Sequence, residues 1–253
     1  MAERRQILEF CDELLSIADF EDYGPNGLQV PGAEQVSRIA TGVTANLELL
    51  RRAVDSGAEL ILIHHGLLWG DEVSPLSVPM ASRLRALLCA NVSLAAYHLP
   101  LDAHPGIGNN ALLRERLGLE AERQEFGMAK GRAIGVVGRA PQPLAISELR
   151  ERLGSATGQE PLVFDAGPER VRTIGIVSGA GAGSLPEAVE RGLDALLTGE
   201  PREHVMADAR EEGIHFIAAG HYATETFGVR ALGDRLEREL GVEHVFVDVP
   251  NPV

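Results

Sequence analysis

The apolar positions change period along the chain, and the changes mark its elements. Near the start, Ile7, Leu8, Cys11, Leu14, Leu15 and Ile17 recur at helical spacing, which predicts a helix. "EDYGPNGLQVPG" follows, and its Pro-Asn-Gly predicts a turn. Beyond it, short apolar runs alternate with longer amphipathic stretches. "RIATGVT", "ELILIHH" and "VSLAAYH" read as strands, while "ANLELLRRAVDSG", closed by Gly57, and "MASRLRALLCAN" read as helices. The rhythm resumes with the strands "RAIGVVG", "TIGIVSG", "DALLTGE", "IHFIAAGH" and "EHVFVDV". Between these lie the helices "SLPEAVERG", "PREHVMADAREEG" and "ATETFGVRALGDRLEREL".

Strands interleaved with helices predict an α/β fold with mostly parallel sheets covered on both faces. The stretch "LEAERQEFGMAKG" near residues 119–131 is polar and interrupts the alternation, so a lobe boundary is expected there. That divides the chain into lobes of residues 1–120 and 121–253. No short-period repeat or low-complexity tract is visible.

Composition changes this picture mainly by exclusion. The formal net charge is -14, with no Lys/Arg-rich stretch, so a nucleic-acid or anionic-membrane surface is disfavoured. Two cysteines, Cys11 and Cys89, stand far apart and supply neither a disulfide framework nor a thiolate zinc site. The amphipathic start lacks the apolar core of a signal peptide, and no apolar run approaches the roughly 20 residues of a membrane span. A soluble, cytoplasmic protein is expected.

The candidate chemistry sits at strand ends, where parallel α/β sheets gather their ligands. "ELILIHH" ends in His64 and His65. "VSLAAYH" ends in His98 and runs on to Asp102 and His104, and "IHFIAAGH" ends in His221 with Glu225 four residues later. Neighbouring side chains on a strand point to opposite faces, so the two adjacent imidazoles need a reason. A turn released by Gly66 would let both reach one cavity. Imidazoles and carboxylates without thiolates are the donors of hydrolytic zinc, iron, manganese or nickel sites. A histidine pair alone is more often structural; three strand ends carrying the same donor chemistry favour metal. His204 and His215 read as structural, and His104 as part of the turn made by Pro105 and Gly106. If the last long helix begins near Ala223, His221 lies at its lip and Glu225 on its first turn.

The glycine loop Gly179–Gly183, in "IVSGAGAGSLPEA", leads to a helix whose expected cap is Ser184. It lacks the P-loop lysine and the dinucleotide spacing, so a tight strand-to-helix turn is favoured over a phosphate cradle. Ser178 does not sit in a nucleophile elbow, and Trp69 reads as a packing residue rather than a pocket wall.

Taken together, "NGLQV", "TGVTANLELLRRAVDSGAELILIHHGLLW", "YHLPLDAHPGIGNNALL", "LLTGEPREH" and "GHYATETFGVRALGDRLEREL" resemble the Nif3-like dinuclear metal-centre hexameric proteins, known as GTP cyclohydrolase 1 type 2 homologues. The resemblance runs over nearly the whole chain and matches the short form of the family. It implies two similar, intertwined α/β lobes with a metal site between them, in a toroidal homo-hexamer. It also implies two divalent ions per chain held by His64, His65, Asp102, His221 and Glu225, with His98 close by. Many relatives carry a Lys where this chain has Gly70. The activity implied is hydrolysis of a nucleotide, in which water activated by the metals attacks the purine imidazole ring and His98 or Glu200 shuttles the proton. A metal-dependent phosphoesterase and a non-enzymatic metal-handling or regulatory scaffold are the alternatives.

Overall fold

The computed structural model describes residues 1–70 and 75–253. Contacts divide the chain into two compact units, Met1–Leu101 with Gly228–Val249, and Asp102–Phe227 with Pro250–Val253.

The first unit opens with β1 (Ala2–Glu3) and α1 (Arg4–Leu15), whose Ile7, Cys11 and Leu15 form the buried stripe expected from their spacing. Ser16 closes α1 in the left-handed conformation, sending its N–H back to the carbonyls of Asp12 and Glu13. Then come β2 (Gly27–Val30), β3 (Gln35–Val36), β4 (Arg38–Thr44), α2 (Leu47–Asp55), β5 (Leu60–His65), α3 (Val78–Ala90) and β6 (Ser93–Ala96). Asn46 caps α2, its side chain accepting the Leu49 N–H at 2.8 Å. The sheet order is β13-β4-β5-β6-β2, where β13 is Glu243–Phe246. Its first four strands run parallel, and β2 closes one edge antiparallel. Leu49, Leu50 and Ala53 of α2 and Leu87 of α3 cover Ala40, Ile61 and Ile63 on one face.

The second unit comprises α4 (Leu99–Ala103), α5 (Asn109–Arg116), β7 (Glu120–Ala129), β8 (Arg132–Leu144), α6 (Ile146–Thr157), β9 (Leu162–Phe164) and β10 (Val171–Val177). It continues through α7 (Leu185–Glu190), β11 (Ala195–Thr198), α8 (Val205–Glu212), β12 (His215–Ala218), α9 (His221–Thr224) and the start of α10 (Thr226–Leu240). The first residues of α4 lie in the first unit, and α10 carries the chain back to it. The sheet order is β7-β8-β10-β11-β12-β9. Only β10, β11 and β12 run parallel to one another; β7, β8 and β9 pair antiparallel. Leu113 and Leu117 pack with Leu149, Leu153, Ile174, Ile176, Leu197 and Ile217 in one core.

The α/β class is as expected, with two departures. The second sheet is mixed rather than mostly parallel. The "LEAERQEFGMAKG" stretch is its edge strand β7, joined to β8 by a tight turn at Lys130 and Gly131, both at positive φ. The division into 1–120 and 121–253 is also corrected. The chain leaves the first unit after Leu101, because α5 belongs to the second core. It returns at Gly228, because β13 pairs with β4. Among the described residues, no helix is long and apolar enough to cross a membrane.

Candidate metal centre

In the first unit three imidazoles gather at the carboxyl ends of β5 and β6. The last β5–β6 register pair is Ile63 with Ala96, so His64 and His65 extend past their neighbour on that side. His65 still pairs with Thr44 of β4. Ring centroids lie 4.8 Å apart for His64 and His65, 4.9 Å for His64 and His98, and 5.5 Å for His65 and His98. One ring nitrogen from each falls within 4.8 Å of the others, a set able to hold a metal ion. The adjacent histidines of the strand end thus face one another, at the point where the ladder opens.

Each ring is held by its Nδ1. His64 Nδ1 lies 2.9 Å from the Tyr97 carbonyl, His65 Nδ1 3.1 Å from Thr44 Oγ1, and His98 Nδ1 2.7 Å from Asp22 Oδ1. Tyr97 is itself fixed, its hydroxyl donating to Asp12 of α1 at 2.8 Å. Gln29 of β2 accepts the N–H groups of Leu67 and Leu68, which secures the loop after the histidine pair. A side chain on Gly66 would meet the amide end of that glutamine, which would have to move aside. Trp69 donates its indole N–H to the Gly66 carbonyl and stands edge-on to His98 at 5.3 Å while remaining 47% exposed. It is therefore not an ordinary packing residue.

In the second unit Asp102, His221 and Glu225 are each tied down. Asp102 is buried on α4 and its Oδ1 accepts from Asn109 Nδ2 at 2.8 Å and Ser178 Oγ at 3.2 Å. Ser178 thus serves to hold Asp102. Asn110 braces the same corner, accepting the Ser178 N–H and donating to the Ile134 carbonyl. His221 opens α9 directly instead of lying at the lip of a helix begun near Ala223, and buried Glu225 follows that single turn. Four residues apart, the two share a face, with His221 Nε2 3.3 Å from Glu225 Oε2. Glu200, just after β11, meets His221 Nδ1 at 3.0 Å. Burial opposes charge on His221, but the bonds and charges of Glu225 and then Glu200 outweigh it and push the metal-free imidazole up to about 9.

The glycine loop serves this arrangement. Gly179 has φ +61 and its N–H donates to Thr224 Oγ1 at 3.1 Å; a methyl in its place would overlap Glu225 Oε1 and lie 3.1 Å from His221 Nε2. A methyl on Gly199 would sit 2.6 Å from the Gly179 carbonyl oxygen and 2.7 Å from His221 Cα. A carboxylate pressed against the loop disfavours a phosphate there, in keeping with the turn reading. Ser184 stands at the start of α7 but its side chain makes no cap bond, contrary to expectation.

The remaining histidines have local structural partners. His104 Nδ1 accepts from the N–H groups of Gly106 and Ile107; His204 meets Asp208 at 2.8 Å; buried His215 meets the Pro168 carbonyl at 2.9 Å. The orienting roles of Asp22, Asn26, Gln29, Thr44, Asn109 and Ser178 are not announced by any pattern, Ser178 standing out only as a nucleophile candidate that fails. Asp22, Asn26 and Gln29 lie in "EDYGPNGLQV" and Asn109 in "GIGNN", while Thr44 and Ser178 stand at the ends of predicted strands.

The donors of each unit fit a metal. In the first, His64, His65 and His98 are held at Nδ1 by a carbonyl, a hydroxyl and a carboxylate; in the second, His221 is held at Nδ1 by Glu200 and stands with the carboxylates of Asp102 and Glu225. Outer partners of that kind fix the tautomer and orientation of metal-ligating histidines, with Nε2 as the coordinating nitrogen.

The chain is 45% identical over 247 residues to the GTP cyclohydrolase 1 type 2 homolog of Pseudomonas aeruginosa, covering 97% of each chain. To the protein of that name from Deinococcus radiodurans it is 42% identical, covering 98% of this chain and 93% of the relative. Among solved structures, protein ybgI superposes with a TM-score of 0.94 at 38% identity, and TTHA1606 of Thermus thermophilus with 0.90 at 37%, both covering 100% of each chain. The family model for Duf34/NIF3 (NGG1p interacting factor 3) matches residues 2–252, and the chain belongs to that family.

Proposed function

We propose that the protein is a dinuclear metal-dependent hydrolase acting on a nucleotide, as the name carried by its relatives implies. The observation that supports this most is the fixing of His64, His65, His98 and His221 through Nδ1 by protein acceptors. Second partners of that kind fix the tautomer and orientation that a metal-ligating histidine needs. In this reading His64, His65, Asp102, His221 and Glu225 would hold two divalent ions of zinc, iron, manganese or nickel, with Glu225 the expected bridging carboxylate. When bound, paired ions supply Lewis acidity and make water nucleophilic at neutral pH.

The chain's own residues do the rest. Asn109 and Ser178 keep the Asp102 carboxylate from turning away. Glu200 orients His221 through Nδ1 and is, with His98, one of the two groups placed to shuttle the proton. His98 handles a proton on the side of the histidine pair, with Asp22 behind it.

The test is a panel of nucleotides and phosphoesters, GTP included, offered to metal-replete protein beside His65→Ala and Glu225→Ala. Each substitution is expected to lower turnover by about 10²–10³-fold, since water activation and charge clamping are each worth several kcal/mol. Turnover surviving both would refute the site. No turnover with any substrate at full metal occupancy would replace the hydrolase by the metal-handling scaffold.

The same reading includes a toroidal homo-hexamer, because closed symmetry satisfies repeated interfaces. A solution mass near six chains is expected, and a stable monomer at micromolar concentration would refute it.

A further inference from the structure

His98 is held at its ring and at its main chain. Asp22 contributes both oxygens: Oδ1 accepts from His98 Nδ1 and the Tyr23 N–H at 2.7 Å each, and Oδ2 accepts from Asn26 Nδ2 and the Leu99 N–H at 2.9 Å each. Asn26 returns its own oxygen to the His98 backbone N–H at 2.9 Å. The loop before β2 therefore holds His98 by ring and main chain together, and it caps the first residue of α4. Four donors converge on one carboxylate, matching the acceptor capacity of an ionised carboxyl group.

An ionised carboxylate only accepts. The hydrogen between Asp22 and His98 must then reside on Nδ1, which leaves Nε2 of a neutral ring as a bare lone pair. The three rings of the first unit bring one nitrogen each within 4.8 Å, and in all three Nδ1 is committed elsewhere. Trp69 and Tyr23 flank His98 at ring distances of 5.3 and 6.1 Å and are each about half exposed.

We infer that Asp22, braced by Asn26, is a positioning residue that fixes His98 as a hydrogen-bond acceptor, its Nε2 turned to the histidine face to take an O–H or N–H group of the ligand seated there. The inference deepens the metal reading, which supplies the reason for a ligand beside His64 and His65. The tautomer itself does not depend on metal. A ligand selected by this arrangement carries a donor hydroxyl or amine next to the group held at the metals. An otherwise equal ligand lacking that donor leaves Nε2 unpaired and is disfavoured.

Histidine-selective ¹⁵N labelling tests this on the full-length, metal-free chain at pH 8, with His98→Gln used to assign the resonances. In the unmodified protein the His98 Nδ1 signal is expected in the protonated range and Nε2 in the unprotonated range. In Asp22→Ala the pattern is expected to move toward the Nε2–H tautomer. An Nε2–H or doubly protonated ring in the unmodified protein overturns the inference, and this spectrum needs no variant to fold. An unchanged pattern in folded Asp22→Ala overturns it equally. Metal content, measured separately on reloaded samples, reports on the dinuclear reading by itself. Failure of that reading and failure of this one are therefore distinguishable.

Discussion

Glu225→Ala is expected to lose most of its bound metal, falling from about two equivalents per chain to below one, as measured by elemental analysis after purification without chelators. Glu225 is buried, its neighbour on α9 is His221, and Gly179 permits its carboxylate to lie against the loop after β10. As the bridging ligand it would touch both ions, so its removal acts on the pair. Loss of an outer partner alone is the useful contrast. Glu200→Gln keeps His221 but weakens its orientation, so a decline of about 10–100-fold in affinity is expected rather than loss of the site. Metal content in Glu225→Ala equal to that of the unmodified chain would exclude the bridging role.

Gly179→Ala should be nearly as damaging although it removes no ligand. Two costs add. The backbone stands at φ +61, where a side chain costs about 1–2 kcal/mol. The added methyl also overlaps Glu225 Oε1, so the carboxylate must move. Gly192→Ala separates these costs. That residue has φ +64 and nothing within 4 Å of the place a methyl would take, so it bears the backbone cost alone. Chemical denaturation should show both variants destabilised, with Gly179→Ala the worse. Metal affinity should fall by about tenfold or more only in Gly179→Ala, in line with displaced ligand geometry. Equal metal affinity in the two would mean that the glycine loop has no part in the site.

What the sequence made legible was governed by local rules. Parallel strands buried on both faces show as apolar runs, so β4, β5, β6, β11 and β12 could be read directly, as could the donors at their ends. What escaped was governed by distant pairing. β7 is an edge strand with mostly exposed side chains, so "EAERQE" carries no apolar alternation and looks like a linker. The return of β13 to β4 joins residues about 200 apart, as in His244 with Ile39, and no periodicity announces it. The residues that orient the histidines were hidden for the same reason. Asp22 lies 76 positions from His98, and the Tyr97 carbonyl acts on His64 through main chain rather than side chain. Gly179 could be seen as a turn glycine, but that its missing side chain makes room for the carboxylate of Glu225, far along the chain, could not.

A pair of metal ions on His64, His65, Asp102, His221 and Glu225 would be visible by anomalous X-ray scattering from crystals of chelator-free, metal-replete protein. Two strong peaks about 3.5–4 Å apart are expected, each within bonding distance of these side chains. Metal-free density around all five residues, or a metal bound only elsewhere on the chain, would contradict that expectation.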